Sequence, residues 1–166
     1  RVGALIGAKP TLPESERRLS IGDPRQVIWS QDGSTMYVAG MGSDNLIKLD
    51  ASGNRIGSLP IALEGGPSAL SLDEPNKRLY VLQRFTSQLT VLDTATDQAI
   101  AEVHLFDPTP REIRDGRPHL YNTQKTSGTG HTSCASCHLD GRFDRLAWDL
   151  GSPEGVTIPI DPEASF

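Results

Sequence analysis

Cys134 and Cys137 are separated by Ala135 and Ser136, and His138 follows directly. The chain has only these 2 cysteines in 166 residues. Thiols at this spacing reach the two vinyl groups along one porphyrin edge and form thioethers with them, while an imidazole one position later swings under the iron. The five residues therefore read as the attachment motif of one covalently bound haem, with Cys134 and Cys137 as anchors and His138 as the axial iron ligand. Three other chemistries use the same side chains. A redox-active Cys-x-x-Cys needs no histidine after it and expects a strand-to-helix setting that is not evident here. A disulfide leaves His138 idle. Zinc held by His131, Cys134, Cys137 and His138 would have consecutive residues wrap one ion, whereas structural zinc draws its ligands from two separated pairs. Haem c is the expected cofactor, and the zinc and disulfide readings stay open beside it.

A second axial ligand is not evident. Residues 139 to 166 contain no Met, His, Cys or Lys. Met36 and Met41 read as packing or turn residues, His104 as the end of a strand, and His119 and His131 as solvent-facing loop residues. Arg142 is a candidate partner for a haem propionate and Trp148 for packing on the porphyrin; a surface ion pair and a small core are their ordinary readings.

Composition narrows the classes further. The net charge of −5 comes without any basic run that could track phosphates, so nucleic acid is not an expected partner. No stretch approaches the ~20 apolar residues of a spanning helix. The chain begins at Arg1 with no charged and apolar leader, so it is expected to be a mature form or a fragment.

The elements that must carry the motif show an internal repeat. Pro24 aligns with Pro67, Met36-Tyr37-Val38 with Leu79-Tyr80-Val81, and Leu49-Asp50 with Leu92-Asp93, each pair 43 residues apart. That period fits a four-stranded propeller blade. Turn-forming runs at 29–33 and 72–76 separate short apolar segments, as hairpins require. Blades are expected over residues 24–62 and 67–105, with Arg1-Val2-Gly3-Ala4-Leu5 as the last strand of a preceding one. A charged, proline-bearing connection from Lys9 to Ser20 leads into the first. Two blades leave open edges, so further blades are expected upstream. After the hinge at Asp107–Pro110, Thr109-Pro110-Arg111-Glu112 predicts a capping box and a helix start. Gly116 and Pro118 predict a kink or restart before His119.

Leu79-Tyr80-Val81 and the run from Leu89 to Thr96 resemble the YVTN family of bacterial β-propeller repeats. Leu82-Gln83 and Ala39-Gly40 depart from its usual Thr-Asn. From Gly116 to Leu150 the chain resembles bacterial cytochrome c domains of the di-haem peroxidase-like group, on Gly116-Arg117, Leu120-Tyr121, Ser127 to Gly130, Ser133 to His138, Asp140-Gly141-Arg142, Asp144, Leu146 and Trp148-Asp149-Leu150. The second attachment motif of that group is missing, and so is its downstream methionine, as though the sequence stops before its cytochrome domain does. The resemblance implies a mixed fold: a propeller fragment over 1–106 and a small α-helical cytochrome c-like domain over 107–166. It implies an extracytoplasmic bacterial protein, periplasmic or on the cell surface, that passes electrons to a redox partner protein. The alternatives are part of a peroxidase-like haem oxidoreductase and a non-redox propeller used as a binding scaffold.

Overall fold

In the computed structural model, residues 13–126, 130, 132–138, 142, 144 and 145 are described. The expected strand at Arg1–Leu5 lies outside them, as do His131, Trp148 and about half of the expected C-terminal helical domain.

The repeat becomes two four-stranded antiparallel meanders. The first runs β1 (Pro24–Trp29), β2 (Thr35–Gly40), β3 (Asn45–Asp50), β4 (Arg55–Ala62), and the second β5 (Pro67–Asp73), β6 (Arg78–Gln83), β7 (Gln88–Asp93), β8 (Ala99–His104). Both inner strands break register at the same place, after Pro24 and after Pro67. The Leu-Asp anchors of the repeat have a physical reason: each aspartate closes a hairpin. Asp50 Oδ1 accepts the Ser52 and Asn54 amides at 2.9 and 2.8 Å, and Asp93 Oδ1 accepts those of Ala95 and Thr96, both at 2.9 Å. Tyr37 and Tyr80 hold the same position in β2 and β6.

Alternation along the strands gives each sheet two faces. Tyr37, Ala39 and Leu46 of the first blade meet Leu70, Leu79, Val81 and Leu92 of the second in one buried core. Polar contacts flank it: the Lys48 ammonium pairs with Asp97, and the Gln31 amide donates to Glu74. Gln26 bridges the inner strands, its Nε2 donating to the Leu70 carbonyl at 3.2 Å and its Oε1 accepting the Leu70 amide at 2.7 Å. Between the blades the chain crosses at Gly65 and Gly66, with φ of 114° and 71°. A Cβ on Gly66 would fall 2.4 Å from the Phe85 ring, so glycine is required there twice over.

Among the described residues, three α-helical pieces lie outside the sheets. A turn, α1 (Glu14–Arg17), sits within the expected connection into the first blade. Helix α2 (Arg111–Tyr121) begins one residue later than expected and without the capping box. Pro110 is its N-cap and has no hydroxyl or carboxylate to offer, while the Thr109 hydroxyl instead accepts from Arg117 at 3.0 Å. Nor does α2 restart at Pro118; it runs through Gly116 and Pro118 in one piece. The turn α3 (Thr123–Thr126) follows. A cytochrome-like helical domain is not shown among the described residues.

Burial and the turn carboxylates give two checks on this fold. Leu79 is 1% exposed, and Leu79→Ala should cost about 2–5 kcal/mol in urea unfolding, against under about 1 kcal/mol for Val27→Ala on an open face. Hydrogen bonds within their turns, first from Ser30 and Thr109 respectively, pull Asp32 and Asp107 down to about 2 from 3.8. Turn amides also hold Asp50 and Asp93 low. Carboxyls depressed on folding stabilise above their unfolded value and lose that contribution as pH falls. The urea midpoint should therefore decline as pH falls from 3.8 toward about 2, and Asp32→Asn with Asp107→Asn should make the decline shallower. A midpoint flat across that window would contradict the turn assignments.

Candidate functional site

The Cys-x-x-Cys-His segment forms a single 3₁₀ turn, Cys134–Ser136. Serines flank it for a reason. The Ser133 amide donates to Ser136 Oγ at 3.1 Å, and the Ser136 amide donates back to the Ser133 carbonyl at 3.0 Å, so the turn entrance is tied on both sides. The Cys134 carbonyl then accepts the amides of both Cys137 and His138, at 3.2 and 3.0 Å, which winds the two cysteines and the histidine onto one another. The Asp144 amide closes on the Cys137 carbonyl at 3.1 Å. Both thiols are free; Cys134 is exposed and Cys137 half-buried. His138 and Arg142 are also exposed, whereas Ala135 between the cysteines is buried. Burial, then the charges of Asp144 and Cys134, push the Cys137 thiol up, which keeps it protonated at neutral pH.

The turn packs against α2, and the segment that bears it is fixed to the blades by a short series of contacts. Thr123 is fully buried in a slot between Gly22 and Gly42. A Cβ on Gly22 would fall 2.3 Å from the Thr123 hydroxyl, and one on Gly42 would fall 2.7 Å from its methyl. The Thr123 amide donates to the Gly42 carbonyl at 2.7 Å, and the Gly42 amide donates to the Gly22 carbonyl at 3.0 Å, so three distant segments lie in one backbone row. The Thr123 hydroxyl lies 2.7 Å from the Gly130 carbonyl, which also accepts Ser20 Oγ at 2.8 Å. Gly130 has a φ of 81°. Four residues later the attachment turn begins.

At the corresponding place in the second blade stands Phe85. Its carbonyl accepts Arg117 at 3.1 Å and its ring lies 5.1 Å from that of Tyr121. Asp44 joins the two halves of this dock. Its Oδ1 accepts the Gly65 and Gly66 amides at 3.2 and 2.9 Å, and its Oδ2 accepts Asn122 Nδ2 at 2.7 Å. Burial raises the Asp44 carboxyl, against these hydrogen bonds and the nearby Lys125 charge.

The structure thus brings Cys134, Cys137 and His138 into one turn, with Arg142 beyond it on the surface. Among the sulfur and imidazole groups considered for the iron, Met41 is buried just after β2 and His104 ends β8, as expected. His119 is exposed, but on helix α2 instead of in a loop. Among the described residues, no three His, Cys, Asp or Glu side chains gather as a metal site, and no helix is long and apolar enough to cross a membrane. Sequence reasoning missed Asp44, Asn122 and Thr123. Only Asp44 carried a signal: it stands 43 residues before Ser87, and both adopt positive φ, 50° and 51°, in equivalent turns.

No protein-family model matches the chain. Among curated proteins, the uncharacterized protein YncE of Escherichia coli strain K12 is 24% identical over 147 residues, which covers 84% of this chain and 39% of that protein. The chain therefore spans about two-fifths of the length of this relative. Among solved structures, hydrazine synthase of Kuenenia stuttgartiensis aligns with a TM-score of 0.48 and 24% identity over 53% of this chain and 25% of that one. The β-propeller domain of Cps50 (Swd1) from Myceliophteria thermophila gives a TM-score of 0.42 and 13% identity, over 54% and 28%. Scores of that size add nothing to the argument already made by strand order and period. The fold is that of two consecutive blades, consistent with a partial β-propeller, and the comparisons bring no cytochrome part with them.

Proposed function

We propose that this chain is a haem c-bearing electron-transfer module built onto a β-propeller scaffold and working outside the cytoplasm. One observation carries the proposal: Cys134, Cys137 and His138 share a single turn, with both thiols free and Cys134 and His138 exposed. The residues fit the group. A 3₁₀ turn repeats every three residues, so positions 134 and 137 return to one side with His138 next to them. Cys134 and Cys137 would hold haem through thioethers and His138 would ligate its iron. Bound there, haem supplies a one-electron couple whose potential follows axial ligation and burial. The chain's own part is positional. Thr123 and Gly130 fix the approach to the turn against the first blade, α2 backs it, and Arg142 is available to a propionate. The domain boundary near residue 106 belongs to this proposal, as do a redox partner protein and further blades upstream.

A second reading is favoured by the comparisons, which bear on the blades alone. In it the propeller is a binding scaffold without redox chemistry, and the Cys-x-x-Cys-His turn is not loaded. One experiment separates the two. The chain is exported together with a cytochrome c maturation system and extracted with acid acetone. Haem should stay with the protein, and Cys134→Ala with Cys137→Ala together should release all of it. His138→Ala should keep the covalent haem while changing the iron absorption spectrum. If the unaltered chain gives up all its haem to acid acetone, the scaffold reading replaces the electron-transfer one.

A further inference from the structure

A cavity of about 1130 Å³ opens between α1, the turns at one end of both blades, and α2. It is large enough for a metabolite-sized ligand. Its lining carries five cations and four carboxylates, and most of the cations are already engaged. Arg18 pairs with Glu14 and Arg111 with Asp115, in both cases between well-exposed side chains. Arg17 donates to the Gln124 carbonyl at 3.0 Å. Lys125 lies close enough to Asp44 to act on its carboxyl. Arg114 differs in its side chain: no hydrogen bond or ion pair within the described residues engages its guanidinium, and its Nε, like that of Arg17, is buried from solvent without an acceptor.

A guanidinium nitrogen withdrawn from water and left unpaired is costly, and a planar fork of donors matches a carboxylate better than any other common anion group. Phe85, Pro60 and Pro118 give the same cavity apolar walls. We propose that this cavity binds a small organic carboxylate with an apolar body, its carboxylate received by Arg114 and its body lying against Phe85 and Pro118. Glu64, exposed on the same lining, disfavours multiply charged anions. Nothing in this inference depends on haem attachment, since none of Cys134, Cys137 and His138 lines the cavity.

Isothermal titration of the full chain with phenylacetate tests it, with inorganic phosphate and butylamine titrated in parallel. Phenylacetate should bind saturably at one site, and butylamine should not bind. Arg114→Gln should weaken phenylacetate by at least about tenfold, and Arg114→Lys, which keeps charge but loses the fork, should fall between. Arg78→Gln, at the far end of β6, should bind as the unaltered chain does. Unchanged urea midpoints confirm that the Arg114 variants are folded, and the lysine variant serves if the glutamine one is not. The proposal is overturned if phenylacetate binds more weakly than about 10 mM. Equal affinity in a folded Arg114→Gln chain, or phosphate binding as tightly as phenylacetate, would overturn it too.

Discussion

Thr123 in its slot is the contact on which the arrangement of the chain's two parts depends. It requires the absence of two side chains, at Gly22 and Gly42, and it joins them by backbone hydrogen bonds that no side chain could replace. Burying a threonine hydroxyl is tolerable only when its proton is received, and the Gly130 carbonyl lies within reach. That acceptor belongs to Gly130, four residues ahead of the attachment turn. One buried side chain therefore ties blade, helical segment and Cys-x-x-Cys-His turn together, so that the turn is held close to its scaffold instead of trailing from it.

The two blades accept the following segment in different ways at one repeat position. Gly42 leaves room and lets backbone meet backbone; Phe85 fills the room with a ring that stacks near Tyr121 and offers only its carbonyl, to Arg117. A repeat that is regular in its strands is thus specialised in its turns. Asp44 shows the same division. Its equivalent Ser87 keeps the turn conformation but carries no charge, and only Asp44 reaches both the interblade glycines and Asn122.

These facts explain how much of the structure could be read from the chain alone. Strand positions were legible because short apolar runs bounded by turn-forming residues are local signals, and because the repeat presents each of them twice. The Cys-x-x-Cys-His motif was legible because its chemistry lies in five adjacent residues. The helix after the blades was legible only in outline. Thr109 could cap it or accept from Arg117, and the tertiary partner won; Pro118 could break it, but docking on the blades holds the helix through it. The Thr123 slot was not legible at all, because its partners lie 81 residues away and more, and consist of missing side chains.

Gln26 has a consequence for the chain's company in solution. An amide side chain reproduces the donor and acceptor of a peptide group, and Gln26 occupies the donor and the acceptor of Leu70, one residue of the free edge of β5. Unprotected edges recruit neighbouring molecules into shared sheets. The repeat offers no substitute for this plug, since the position 43 residues after Gln26 is Ala69. A chain with Gln26 changed to a residue that cannot mimic a peptide would keep its blades and expose a templating edge, making self-association, before any loss of folding, the first sign of damage.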